Sequence, residues 1–94
     1  MMWRFSRCGA VRWNATAFTA MATLRVKFGR AVRALRTKAG YSQEGFADAI
    51  EVHRTQMGTL ERGKGNPTLE TIAAVAKGLR ISISELFEAV EREP

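Results

Sequence analysis

Residues 42–63, with the sequence SQEGFADAIEVHRTQMGTLERG, most constrain what this chain can fold into. Their pattern predicts two short helices joined by a tight turn. Ser42 is suited to capping the N-terminus of the first helix, and Gly63 is suited to ending the second. Two apolar stripes with helical spacing lie between them, made of Phe46, Ala47 and Ile50 and then of Met57 and Leu60.

The second of these helices is predicted to carry polar side chains on the face opposite its apolar stripe. These are Arg54, Thr55, Gln56 and Thr59. A helix that is buried on one side and carries hydrogen-bonding groups on the other suits insertion into the major groove of DNA.

The runs S-Q-E-x-x-A and hydrophobic-E-R-G in this stretch resemble the phage-repressor-like helix-turn-helix family, of the XRE or Cro type, over roughly Phe28 to Phe87. Within it, the sequences VHRT and GTLERG are similar to the controller proteins of restriction-modification systems, and many other repressors share them. The resemblance implies an all-α, lambda-repressor-like bundle of about five helices that binds double-stranded DNA as a sequence-specific transcriptional regulator.

The resemblance also implies roles for individual side chains. Gln43 matches a position that contacts a backbone phosphate and braces a side chain of the recognition helix. Arg54, Thr55 and Thr59 match positions that read base edges, and Arg54 can donate two hydrogen bonds to guanine O6 and N7. Gln56 either reads adenine or reaches back to the start of its helix.

A loop follows the second helix and has the composition of a phosphate-binding segment. Arg62, Lys64 and Asn66 are side chains of the types that contact phosphate oxygens, which positions a protein on DNA without selecting sequence. The formal net charge of +6 favours a polyanionic partner. From Glu85 to the C-terminus, acidic residues outnumber basic ones. The positive charge is therefore concentrated in the body of the domain.

The first helix is predicted over Leu24 to Ala39, with an apolar face that includes Phe28 and Val32. In the family, an arginine on this helix pairs with the glutamate of the E-R-G ending. The resemblance therefore implies a partly buried structural ion pair between Arg36 and Glu61.

The sequence departs from the family pattern at two positions. Gly45 replaces the glutamate that would complete a capping box with Ser42. Glu51 replaces the glycine expected in the turn, where a residue other than glycine is strained if its φ is positive. Gly58 is interpreted as allowing close approach rather than as reading bases.

Two further helices are predicted near the C-terminus. Thr68 caps the first, whose buried stripe is predicted to be Leu69, Ile72, Ala73 and Ala76, and Ser82 with Glu85 forms a capping box that opens the second. In the last helix Ile83, Phe87 and Val90 form a stripe that is either additional core or a self-complementary dimer interface. Relatives in the family often dimerise here, so we expect a homodimer on a palindromic operator.

Residues 1–23 contain arginines but no acidic residue, and their aromatic side chains are irregularly spaced. We expect a flexible or non-native N-terminal extension, because Met21 would also serve as a start. A targeting or membrane-surface segment and a basic arm that follows DNA are the alternatives. Residues 24–94 are expected to form the helix-turn-helix domain with a C-terminal dimerisation helix.

Other function classes are disfavoured by composition. Cys8 is the only cysteine and His53 the only histidine, so we expect no metal site, no cofactor and no enzymatic activity. No apolar run approaches the ~20 residues that cross a bilayer, which predicts a cytoplasmic, nucleoid-associated protein without a membrane partner. The alternative function is an antitoxin-type module that binds a toxin or another protein and autoregulates its operon.

Overall fold

The computed structural model describes the backbone of residues 15–94 and the side chains of residues 23–94. Within that range the chain forms five helices and no strand, so the predicted all-α fold is confirmed. The helices are α1 (Ala15–Lys38), α2 (Gln43–Ala49), α3 (Arg54–Glu61), α4 (Leu69–Gly78) and α5 (Ile83–Arg92). None of the helices in this range is long and apolar enough to cross a membrane.

Hydroxyl side chains begin three of these helices, as the sequence predicted. Ser42 accepts a hydrogen bond from the backbone N–H of Gly45, and Thr68 accepts one from the N–H of Thr71. At α5 the capping box is complete: the Ser82 hydroxyl accepts from the Glu85 N–H at 3.0 Å, and the Glu85 carboxylate accepts from the Ser82 N–H at 2.8 Å. Each cap satisfies N–H groups that the helix itself leaves unpaired.

The first four helices end in the same backbone arrangement, the Schellman motif, in which a residue with positive φ follows the helix. Glycine occupies this position after α1 and α3, at Gly40 and Gly63. Glu51 (φ +60°) occupies it after α2, and Arg80 (φ +61°) occupies it after α4. The turn between α2 and α3 therefore keeps the geometry that usually requires glycine, at the cost of the strain anticipated for Glu51.

Helix α1 begins at Ala15 rather than at Leu24, so the predicted N-terminal boundary of this helix was wrong. The predicted boundary was based on apolar periodicity, and this periodicity is present only in the part of α1 that packs against the core. Alanine is frequent upstream, and neither glycine nor proline interrupts residues 15–28, so the helix continues past its packed segment. Met21 lies within α1. Residues 1–14 of the predicted N-terminal extension lie outside the described range, so for them the extension stays a prediction.

The core is built from apolar side chains of all five helices. Its buried members are Phe28, Ala31, Val32, Phe46, Ala47, Met57, Leu60, Val75, Ala76, Leu86 and Val90. Helix α1 packs chiefly against α3 and α5, so it serves as the spine of the bundle.

The stripe predicted for α4 is confirmed at Ile72, which packs against the core, and at Ala76, which is buried, but it is wrong at Leu69 and Ala73, which are exposed. Leu69 is 80% exposed, whereas Thr71 and Val75 are buried. Thr71 points inward because its hydroxyl is hydrogen-bonded to the side chains of both Thr68 and Gln56. Leu69 lies two residues before Thr71, about 200° around the helix, and therefore faces the solvent.

The stripe proposed as a dimer interface on α5 also needs correction at Val90. Val90 is completely buried within the protomer and cannot contact a second copy in this fold. It lies one turn after Leu86, and these two side chains together form the face of α5 that enters the core. Phe87 is half-buried against Phe28, with ring centroids 5.8 Å apart, and Ile83 is 49% exposed.

Gly29 sets how closely α1 approaches the end of α3. A methyl group placed on Gly29 would lie 2.5 Å from the carbonyl oxygen of Leu60 and 2.7 Å from that of Glu61. These are backbone atoms of a helix end and cannot rotate away. A glycine within α1 therefore allows the two helices to cross in contact.

Replacement of Gly29 by alanine is expected to destabilise the protein by about 1–2 kcal/mol. Overpacking costs ~1–3 kcal/mol, and the better helix propensity of alanine offsets up to ~1 kcal/mol of that. Gly58→Ala is the matched control, since its methyl group would meet only the movable ends of side chains, Arg62 Nη1 at 3.2 Å and Gln43 Oε1 at 3.5 Å. Urea unfolding should show lower stability for Gly29→Ala alone, and equal effects of the two changes would contradict the crossing role of Gly29.

Candidate nucleic-acid interface

Helices α2 and α3 form the two-helix unit predicted from residues 42–63. On the inner side of α3, Met57 is completely buried and Leu60 is 4% exposed. On the outer side, Arg54 and Thr55 are exposed and Thr59 is half-buried. The structure thus places the three side chains predicted to read bases together on the surface of a helix whose reverse is fixed in the core.

The end of α3 is held by a buried ion pair between Arg36 of α1 and Glu61. Arg36 Nε lies 2.6 Å from Glu61 Oε2, and Arg36 Nη2 lies 3.0 Å from Glu61 Oε1. Arg36 Nη1 donates to the backbone carbonyl of Tyr41 at 2.8 Å. The pair implied by the resemblance is therefore formed, and it joins α1, the start of α2 and the end of α3.

Gln43 completes this arrangement at the exposed start of α2. Its Nε2 donates to Glu61 Oε1 at 3.0 Å, and its Oε1 lies beside Gly58 on α3. The carboxylate of Glu61 thus fixes the position of the Gln43 amide at the surface. Gly58 leaves the room in which this amide and the end of Arg62 lie.

The start of α3 carries a second ionic cluster, which is exposed. Arg54 donates from Nε to Asp48 Oδ1 at 3.3 Å and from Nη2 to Asp48 Oδ2 at 2.9 Å, and its Nη1 lies 3.6 Å from Glu44 Oε1. The hydrogen bond with Arg54 lowers the pKa of Asp48 and raises the pKa of Arg54. Because the side chains are 58% exposed or more, this cluster contributes little to stability.

The loop after α3 continues the outer surface. Arg62 and Lys64 are exposed, and Arg62 Nη2 lies 3.5 Å from the hydroxyl of Thr59. Asn66 Oδ1 accepts a hydrogen bond from Arg25 Nη1 of α1 at 3.3 Å. The loop is therefore joined to α1 through Asn66 and to α3 through Arg62.

A helix-turn-helix family model matches residues 32–86 of this chain, more than half of its length. The chain belongs to the helix-turn-helix family. The members of this family that resemble it in sequence and in fold are DNA-binding transcriptional regulators, a non-enzymatic role.

Control proteins are prominent among the relatives of this helix-turn-helix protein. The control protein C.MunI of a Mycoplasma species is 38% identical over 78% of this chain and its own entire length. The control protein C.BamHI of Bacillus amyloliquefaciens is 35% identical over 69% of this chain and 82% of that protein. The crystal structure of the restriction-modification controller protein C.AhdI from Aeromonas hydrophila covers 67% of this chain and 96% of its own, with 43% identity and a TM-score of 0.65.

Gln56 does not reach back to the start of its helix, so that one of its two predicted roles was wrong, while its contact with adenine stays a prediction. Its Nε2 donates to Thr71 Oγ1 on α4 at 3.2 Å, so the amide braces α3 against α4. The cap of α3 is provided instead by His53, whose Nδ1 accepts from the Thr55 N–H at 3.3 Å. The sequence pattern of 42–63 could not show this contact, because Thr71 lies outside that stretch, on α4.

The site also includes three residues that were not predicted from the sequence: Glu44, Asp48 and Arg25. Glu44 and Asp48 are separated by one helical turn, which is a sequence signal for a shared face. Their convergence on Arg54 depends on the angle between α2 and α3. Arg25 resembles the other exposed arginines of α1, and only the path of the loop brings it to Asn66.

Removal of Arg36 is expected to cost about 3–5 kcal/mol, because Arg36→Met leaves the buried Glu61 carboxylate without its cation. Urea unfolding provides the measurement. Arg33→Met, which removes an exposed arginine of the same helix, should change stability by less than ~0.5 kcal/mol. The double variant Arg36→Met with Glu61→Met should recover much of the loss, and a double variant as unstable as the single one would contradict this explanation.

Proposed function

We propose that this protein is the controller of a restriction-modification system, which binds an operator in double-stranded DNA as a homodimer and regulates its own operon and a neighbouring restriction gene. The observation that carries the sequence-specific part is the outward position of Arg54, Thr55 and Thr59 on a helix held by Met57 and Leu60. The names of C.MunI, C.BamHI and C.AhdI support the controller part. These names do not favour the antitoxin alternative.

The binding mode follows from the placement of the polar side chains. Helix α3 would enter the major groove with its N-terminal residues against base edges. Gln43 at the start of α2, together with Arg62, Lys64 and Asn66 in the loop, would contact phosphates on either side of the groove. These contacts would provide affinity that depends on salt, whereas the base contacts would provide the choice of sequence.

Dimer formation is proposed through the exposed part of α5. Ile83 is 49% exposed, and the half-buried ring of Phe87 continues the same apolar surface. A two-fold axis at this surface would present two copies of α3 to half-sites about 34–36 Å apart. The operator would then be palindromic, and binding would take place where the genome lies, in the cytoplasm.

Selection of bound sequences from random duplex DNA tests the reading of bases. The parent protein should enrich a motif with two-fold symmetry. Arg54→Ala should lose preference at one G·C pair in each half-site, because a bidentate contact contributes about 1–3 kcal/mol of discrimination. Lys64→Ala is the matched control: it should weaken binding to all sequences and lower the salt dependence by about one unit. Absence of any enriched motif would contradict the proposal.

Sedimentation equilibrium tests the dimer. Ile83→Glu should raise the dissociation constant of the dimer roughly tenfold or more, because a carboxylate would lose its water at the interface. Leu69→Glu is the control, since Leu69 is 80% exposed but lies on α4, outside the proposed surface. A parent protein that stays monomeric, or an Ile83→Glu variant that dimerises as the parent does, would refute this interface.

A further inference from the structure

Two carboxylates of α2 face the first residue of α3. Glu44 and Asp48 are four residues apart, so their side chains lie one turn from each other on the same side of α2. Both are directed at the guanidinium of Arg54 across the turn that contains Glu51. An arginine at the proposed reading edge is therefore accompanied by two acids that belong to the same protomer.

The two carboxylates approach different nitrogens of the guanidinium. Asp48 binds the edge formed by Nε and Nη2, with one oxygen on each nitrogen, at 3.3 and 2.9 Å. Glu44 lies 3.6 Å from Nη1, which is a distance for charge attraction rather than for a hydrogen bond. Because Nη2 carries two hydrogens, Asp48 leaves one free, and the edge formed by Nη1 and Nη2 keeps two donors.

This free edge is the one that matches a guanine. Recognition of O6 and N7 needs two parallel donors, and Nη1 with Nη2 provides them while Asp48 still holds the opposite edge. An arginine that is held in one orientation loses less conformational entropy on binding than one that is free. Glu44, in contrast, attracts the same Nη1 that guanine would bind.

We propose that Asp48 is a positioning residue that orients Arg54 for a guanine, and that Glu44 competes with that guanine for the free edge of Arg54. The two acids thus act in opposite directions on sequence discrimination. This inference rests on the proposed function, in which Arg54 reads a base.

The two acids provide matched controls for each other. Asp48→Asn and Glu44→Gln each remove one negative charge with almost no change of shape, and each should strengthen binding to DNA of any sequence, since a charge that repels phosphates is lost. The two variants should therefore differ in sequence discrimination only if the carboxylates act on Arg54 in different ways. Urea unfolding should be unchanged in both, because the pairs are exposed.

The experiment selects bound sequences from one random duplex library with the parent, Asp48→Asn, Glu44→Gln and Arg54→Ala. The G·C pair whose preference is lost in Arg54→Ala defines the base that Arg54 reads. Affinities are then measured for the selected duplex and for the same duplex changed at that pair. Asp48→Asn should reduce the ratio of these affinities roughly fivefold, a part of what a full bidentate contact provides. Glu44→Gln should increase the ratio.

Each result decides between the components of the proposal. A ratio that is unchanged or increased in Asp48→Asn overturns the positioning role of Asp48. A ratio that is unchanged or falls in Glu44→Gln overturns the competing role of Glu44. If Arg54→Ala changes no base preference although the parent selects a motif, the reading role of Arg54 fails and this inference fails with it. If the parent selects no motif, the failure lies in the proposed function.

Discussion

The buried pair of Arg36 and Glu61 determines where the outer face of α3 lies. Glu61 is the last residue of α3, and its two oxygens are bound by Arg36 and Gln43. Arg36 also donates to the Tyr41 carbonyl, so a single guanidinium connects α1 with the beginning of α2 and the end of α3. A helix that is fixed at its end by charge, and along its inner side by Met57 and Leu60, has little freedom to rotate its outer side chains.

Where α1 crosses the end of α3, the ion pair depends on the close approach of the two helices. Gly29 and Arg36 are seven residues apart, two helical turns, so they lie on the same side of α1. Gly29 allows the carbonyls of Leu60 and Glu61 to approach the backbone of α1, and Arg36 then reaches the Glu61 carboxylate. The close approach also removes water from the pair, which is why the loss of one partner alone is costly while the replacement of both is tolerated better.

Local patterns were sufficient where one segment decides the structure. The caps at Ser42, Thr68 and Ser82 and the left-handed glycine after α3 depend on a few neighbouring residues, and they were predicted. Periodicity was not sufficient for α5, since a stripe through Ile83, Phe87 and Val90 and a face made of Leu86 and Val90 fit the same short sequence. Contacts between helices, such as Gln56 with Thr71 and Asp48 with Arg54, require the angles between elements, which no single segment contains.

The distribution of charge separates affinity from discrimination in this protein. The net charge of +6 and the exposed Arg62 and Lys64, which pair with no carboxylate in the described part of the chain, attract DNA of every sequence. Arg54 is different, since the two carboxylates of Asp48 and Glu44 more than offset its single positive charge. An arginine neutralised in this way gains little from the phosphates alone, and a guanine must provide two hydrogen bonds to hold it. Local acids within a basic surface thus reduce the non-specific attraction of phosphates at the first residue of α3.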